Sequence, residues 1–119
     1  KAVCSNLIAK GLSYEYESIL ETKLEEMKLF EGKDLTDVDK EFHDTLIQAT
    51  GNHLWAVLME AVTDAYRDWI NYVIELADEP VRAKLLQCHA DIYQNLVQKN
   101  EPAMLLAIDR HYDLIEQMV

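Results

Sequence analysis

Asp39 and His43 lie four residues apart in the stretch Asp-Lys-Glu-Phe-His. If this stretch is helical, residues four apart lie one above the other on the same face, so the carboxylate and the imidazole point towards one place. An oxygen and a nitrogen ligand together suit a borderline divalent metal such as zinc, nickel, manganese or iron. The pair alone is a weak signal, and its weight depends on whether other histidines reach the same place.

Two further histidines, His89 and His111, are 22 residues apart, and the break Asn100-Glu101-Pro102 lies almost midway between them. Each half is about 11 residues, which spans roughly 16 Å in a helix. In a hairpin of two helices the two imidazoles therefore return to the same height. Together with Asp39 and His43 they offer one carboxylate and three imidazoles, which is enough for a metal with positions left for water or a small ligand.

The alternative is ordinary packing. A single interior histidine is commonly satisfied by a hydrogen bond in the core, and an Asp-x-x-x-His pair is commonly a helix-surface pair. The remaining histidine, His53, follows a predicted helix cap at Asn52, so we expect it to face solvent and leave it out of the site.

Apolar residues recur at helical spacing along the whole chain, and no stretch alternates with the period of a strand. Serine, aspartate and asparagine stand where helices would begin, and glycine or proline stands near the breaks between them. The pattern predicts an all-α antiparallel bundle of about six helices. The predicted helices are Lys1 to Lys10, Ser13 to Phe30, Asp34 to Thr50, His53 to Ala77, Pro80 to Lys99, and Pro102 to the C-terminus.

The totals predict one domain over residues 1–119, since 13.8 kDa is enough chain for a core of its own. A formal net charge of −11 repels phosphate, which argues against direct binding of nucleic acid or of anionic membranes. No apolar run approaches the roughly 20 residues of a membrane span.

Cys4 and Cys88 lie among apolar residues at helical spacing, so we expect buried reduced thiols and a cytoplasmic protein. The chain opens on Lys1-Ala2-Val3-Cys4, already in apolar-periodic sequence, and we expect a fragment cut inside its first helix.

Four segments together resemble the FCD effector domain of FadR-type GntR transcription regulators. The family pattern combines D-x-x-F-H, a small-residue-Gly-Asn turn, a histidine at the start of an apolar-periodic helix and a later histidine. The matching segments are Asp-Lys-Glu-Phe-His at 39–43, Ala-Thr-Gly-Asn at 49–52, Cys-His-Ala-Asp-Ile-Tyr at 88–93 and Ile-Asp-Arg-His-Tyr at 108–112. The resemblance spans nearly the whole chain, in spacing as well as in residue type.

The resemblance implies a divalent metal held by Asp39, His43, His89 and His111 at the floor of a pocket inside the bundle. It also implies a small carboxylate effector that reaches the metal, a homodimer, and DNA binding only through a winged helix-turn-helix domain that this chain lacks. Asn100 stands where the family often has aspartate, and both residues cap helices. The family's first helix begins earlier and can bring an arginine to the pocket, a part this chain does not contain.

Arg67 is our candidate for holding the effector's far end, because it lies midway along the fourth predicted helix beside aromatic residues. Its alternative is a surface residue paired with Asp64 or Asp68. Two other classes stay open for the whole chain, a mononuclear metalloenzyme on a helical bundle and a metal-free interaction domain. No Glu-x-x-His pair precedes His89 or His111 and no separate general base stands out, so we expect a regulator and not an enzyme.

Overall fold

The computed structural model describes residues 1–118, which form seven α-helices and, within that range, no strand. The predicted all-α bundle is confirmed. The helices are α1 Ala2–Lys10, α2 Tyr14–Leu29, α3 Gly32–Ala49, α4 His53–Ala61, α5 Thr63–Leu76, α6 Glu79–Val97 and α7 Glu101–Met118. Helix α3 packs against α2 and α5, and α6 and α7 form a hairpin whose first helix also packs against α2.

Side-chain caps lie at the starts of several helices, close to where the sequence predicts them. The Tyr16 amide donates to the Ser13 hydroxyl at the start of α2 (3.4 Å), and the Trp55 amide donates to the Asn52 side chain at the start of α4 (3.2 Å). The Val81 amide donates to Asp78 Oδ1 (3.0 Å) before α6. These side chains satisfy donors that the first turn of a helix leaves unpaired, so each helix has a fixed first residue.

Helix α3, which carries the first two candidate ligands, begins earlier than predicted. It starts at Gly32, with Glu31 before it making no side-chain cap, so the expected cap Asp34 lies inside the first turn instead. There its carboxylate is close to the positive end of the helix dipole. At the other end Lys10 of α1 donates to the Thr50 carbonyl (2.9 Å), and Gly51 turns the chain with φ +67°.

The predicted single helix from His53 to Ala77 is wrong, and the structure divides it into α4 and α5 at Val62 (φ −109°, ψ 11°). The Thr63 hydroxyl donates to the Met59 carbonyl (3.1 Å), and the Val62 amide donates to the same carbonyl (3.2 Å). Such side-chain bonding to the preceding turn competes with the backbone and bends helices. Helix α4 buries none of its residues, so much of its apolar sequence lies on the surface.

The core lies between α2, α3, α6 and α7, with α1 across it. Phe42, Leu20 and Met104 have no exposed surface there. Cys4 and Cys88 are both buried and free, as predicted. Among residues 1–118, no helix combines the length and hydropathy that a membrane crossing needs.

Candidate metal centre

Helix α3 presents Asp39 and His43 on one face, and Asp39 Oδ1 lies 3.0 Å from His43 Nε2. Between them in sequence, Phe42 points into the core and is completely buried. Its ring meets the His43 and His89 rings edge to face, with centroids 5.8 Å and 5.3 Å apart. The core therefore fixes the rotation of α3 that brings these two ligands inward.

Helix α6 supplies His89, which is 2% exposed. Its Nδ1–H donates to the Leu85 carbonyl one turn earlier (2.8 Å), which turns Nε2 towards α3. That nitrogen lies 3.4 Å from Asp39 Oδ1 and 3.3 Å from His43 Nε2. A backbone carbonyl that fixes the ring orientation and tautomer of a histidine is the usual support of a metal-binding imidazole.

Helix α7 returns His111 to the same height, as the spacing about the Asn100-Glu101-Pro102 break predicts. The His89 and His111 ring centroids are 4.6 Å apart, and those of His43 and His111 are 5.9 Å apart. One ring nitrogen from each of the three histidines lies within 4.8 Å of the others. Three helices thus bring three imidazoles together, with the Asp39 carboxylate beside two of them; His89 and His111 are buried, and Asp39 and His43 are half-buried.

These separations suit a divalent cation. Ligand atoms about 2.1 Å from a tetrahedral zinc are about 3.4 Å from one another. The three distances that join Asp39 Oδ1, His43 Nε2 and His89 Nε2 run from 3.0 to 3.4 Å. A ring nitrogen of His111 lies within 4.8 Å of those of His43 and His89. Nitrogen and oxygen donors together fit zinc, nickel, manganese or iron. The triad of His43, His89 and His111, with Asp39 beside it, could therefore hold such an ion.

Asp39 and His89 each favour the charged form of the other, which the two pKa shifts reflect. Burial would raise the pKa of Asp39, but the charge of His89 and hydrogen bonds from His43 and His89 outweigh it and hold the pKa far below its usual range. Burial would lower the pKa of His89, but the Asp39 charge and hydrogen bond and the Leu85 carbonyl raise it. Metal binding therefore competes with protonation of His89.

The pKa of His111 shifts in the opposite direction from that of His89. Burial, reinforced by the positive charges of His89 and His43, lowers the pKa of His111 to about 3. Its imidazole is therefore neutral at any physiological pH, with a nitrogen lone pair free to coordinate.

Cavities adjoin the cluster on different sides. A cavity of about 320 Å³ reaches Asp39 and His89, and one of about 210 Å³ reaches His43 and His111. A third, of about 50 Å³, touches Asp39, His43 and His111 from the side of α5. A small molecule beside the four side chains therefore has space available.

Two tyrosines border the cluster that the sequence did not single out as site residues. The Tyr66 ring lies 6.0 Å from that of His43, and the Tyr112 ring lies 5.0 Å from that of His111. Burial and the Asp39 charge raise the pKa of Tyr66, and burial also raises that of Tyr112, so both stay neutral hydroxyl donors. The position of Tyr112 beside His111 was the available signal, whereas Tyr66 reaches His43 only through the packing of α5 on α3.

Arg67 does not line the cavities beside the cluster. It is exposed on α5, and its Nε lies 3.3 Å from Asp37 Oδ1 of α3, not beside Asp64 or Asp68 as the surface alternative expects. Its role in effector binding stays a prediction. His53 is exposed on α4, outside the cluster.

The model of one protein family, the FCD domain, matches residues 6–114 of this chain. Comparison with curated proteins and with solved structures gave no match.

Proposed function

Since this chain belongs to the FCD domain family, the effector domain of GntR-family regulators, we propose that it binds a divalent metal and a small organic acid and so controls DNA binding by another domain of the regulator. The observation that supports this proposal is that one ring nitrogen from each of His43, His89 and His111 lies within 4.8 Å of the others. Asp39 Oδ1 lies beside two of these imidazoles, 3.0 Å from His43 Nε2 and 3.4 Å from His89 Nε2. The resemblance to the family implies the same four residues as metal ligands.

Each residue has a task in this proposal. Asp39 supplies the charge that offsets a cation, and the three imidazoles supply neutral donors. Helix α6 orients His89 through the Leu85 carbonyl. A bound divalent cation would offer open coordination positions to a carboxylate. Tyr66, whose ring lies 6.0 Å from that of His43, keeps a neutral hydroxyl, which would be a donor for such an anion.

The proposed metal ligands lie on three different helices, which gives ligand binding a way to regulate the domain. Asp39 and His43 are on α3, and His89 and His111 are on α6 and α7. Binding at this cluster ties the three helices together, so an acid that prefers one arrangement of the helices shifts the domain towards it. In the proposed homodimer, such a shift changes the spacing of the attached DNA-binding domains. The measured dimer mass of the purified domain, by light scattering, tests this part separately.

Metal analysis of protein purified without an immobilised-metal column tests the proposed function. We expect about one divalent ion per chain in the wild type, lost in His111→Ala and retained in His53→Gln, whose histidine is exposed on α4. Sugar acids, hydroxy acids and dicarboxylates are then screened by thermal shift with and without metal. Saturable, metal-dependent stabilisation without turnover supports a sensor.

Equal metal content in wild type and His111→Ala would contradict the proposed site. Turnover of the bound acid would show an enzyme instead. Melting that chelators leave unchanged, in protein that takes up no metal, would favour a metal-free interaction domain.

A further inference from the structure

The cavity of about 320 Å³ extends from the metal-ligand cluster to the start of α6. Asp39 and His89 line one end of it, and Arg82 lines it near the first turn of α6. Met27 and Leu35 are among the apolar side chains of its walls. Its volume lies in the range of small-molecule sites, which are mostly apolar with a few placed polar groups.

Arg82 is a cation without a partner. Its Nε has no exposed surface and no hydrogen-bond partner, and its guanidinium makes no ion pair within residues 1–118. Arginine stays protonated in proteins and presents only donors. A buried donor left unpaired is unfavourable, and an acceptor that enters the cavity removes that cost.

Arg82 and His89 lie on the same face of α6, because seven residues make almost two full turns. Their backbones are about 10.5 Å apart along the helix. A molecule lying along this face can therefore meet the metal-ligand cluster with one end and the guanidinium with the other.

The other charged residues of this cavity do not compete for that role. The Lys28 side chain is 55% exposed and pairs there with Glu25 (3.1 Å), so water screens its charge. Glu31 and Glu79 also line the cavity, but both are exposed, so water and salt screen their charges. Arg82 is thus the cation of this cavity that the described residues leave unmatched.

We infer that this cavity binds a short dicarboxylate, with one carboxylate at the Asp39–His89 end and the other paired with Arg82. The inference rests on the proposed function, because it takes the metal as the partner of the first carboxylate. The planar guanidinium holds a carboxylate through two parallel hydrogen bonds, and the apolar wall accepts the methylene chain between the two ends. Arg82, and not the more exposed Arg67, is then the residue that selects a second negative charge.

Calorimetric titration of the purified domain tests this inference with defined probes. Zinc is titrated first, alone, into wild type, Arg82→Gln and Arg110→Gln. The zinc-loaded proteins are then titrated with matched pairs of equal carbon number: butyrate and succinate, pentanoate and glutarate, hexanoate and adipate. Arg110 is the matched control, because it is exposed on α7 and lines a different cavity.

We expect the wild type and Arg110→Gln to bind at least one dicarboxylate about ten- to a hundredfold more tightly than its matched monocarboxylate, the range of a charge-assisted hydrogen bond. Arg82→Gln should bind zinc with unchanged affinity and lose this preference, with monocarboxylate affinity retained. Arg82→Lys should keep only part of the preference, because lysine retains the positive charge but lacks the planar guanidinium that makes two parallel hydrogen bonds.

Zinc binding by the wild type with equal affinity for mono- and dicarboxylates overturns this inference and leaves the proposed function standing. A dicarboxylate preference that survives in Arg82→Gln also overturns it. No zinc binding by the wild type overturns the proposed function and this inference together.

Discussion

The His89→Gln variant is expected to bind divalent metal more than a hundredfold more weakly than the wild type. Loss of a residue that merely supports a ligand costs about 10- to 100-fold in metal affinity, and loss of a ligand itself exceeds that. His89 is the ligand most enclosed by protein, with its Nε2 within 3.4 Å of both Asp39 and His43. Glutamine keeps a polar side chain but removes the imidazole nitrogen. Competition titration against a chromophoric chelator measures the two affinities.

The same variant separates metal binding from folding. At a metal concentration a hundred times its Kd, ligation stabilises the wild type by about 2.7 kcal/mol, which is roughly 10 °C in Tm for a domain of this size. We expect this shift to be absent in His89→Gln and present in His53→Gln, the exposed control. A metal-dependent shift of equal size in His89→Gln would remove His89 from the ligand set.

The metal-free wild type should lose about 2 to 3 kcal/mol more unfolding free energy than His111→Gln as the pH falls from about 6.5 to about 4.5. Unfolded histidine takes up a proton near pH 6.5, whereas burial beside His89 and His43 lowers the pKa of His111 to about 3 in the fold. Across this window the unfolded chain binds more protons, so acid favours it, at about 1.4 kcal/mol for each pH unit. Denaturant unfolding in the presence of a chelator measures the difference.

His89 acts in the opposite direction, because its pKa is raised by Asp39. Its contribution to stability is present below about pH 6.5 and is lost as the pH rises through its folded pKa. His89 is present in both the wild type and His111→Gln, so its contribution to the pH dependence cancels when the two proteins are compared. His53→Gln should keep the wild-type pH dependence. Parallel curves for wild type and His111→Gln would show that His111 is not held neutral by its surroundings.

Much of this arrangement could be predicted because it depends on short-range rules. Ser13 and Asn52 start their helices by bonds to amides three residues on. The placement of Asp39 above His43 follows from the helical repeat. Two helical segments of equal length on either side of a break return His89 and His111 to the same height, and their rings lie 4.6 Å apart in the structure.

Other features of the fold and of the site depend on tertiary contacts that the spacing of residues in the sequence does not reveal. No glycine or proline marks the break at Val62, where the Thr63 hydroxyl bonds the preceding turn. The unmatched state of Arg82 appears only when α2, α3 and α5 close a cavity around it. Arg67 looked better placed in the sequence, yet its pair with Asp37 arises from the packing of α5 on α3.

Diffraction from metal-loaded crystals, recorded at the absorption edge of the metal, tests the central claim most directly. We predict one anomalous peak per chain, about 2.0–2.3 Å from Asp39 Oδ1, from Nε2 of His43 and His89, and from a ring nitrogen of His111. A peak that lies elsewhere, or no peak among these four side chains, would contradict the account.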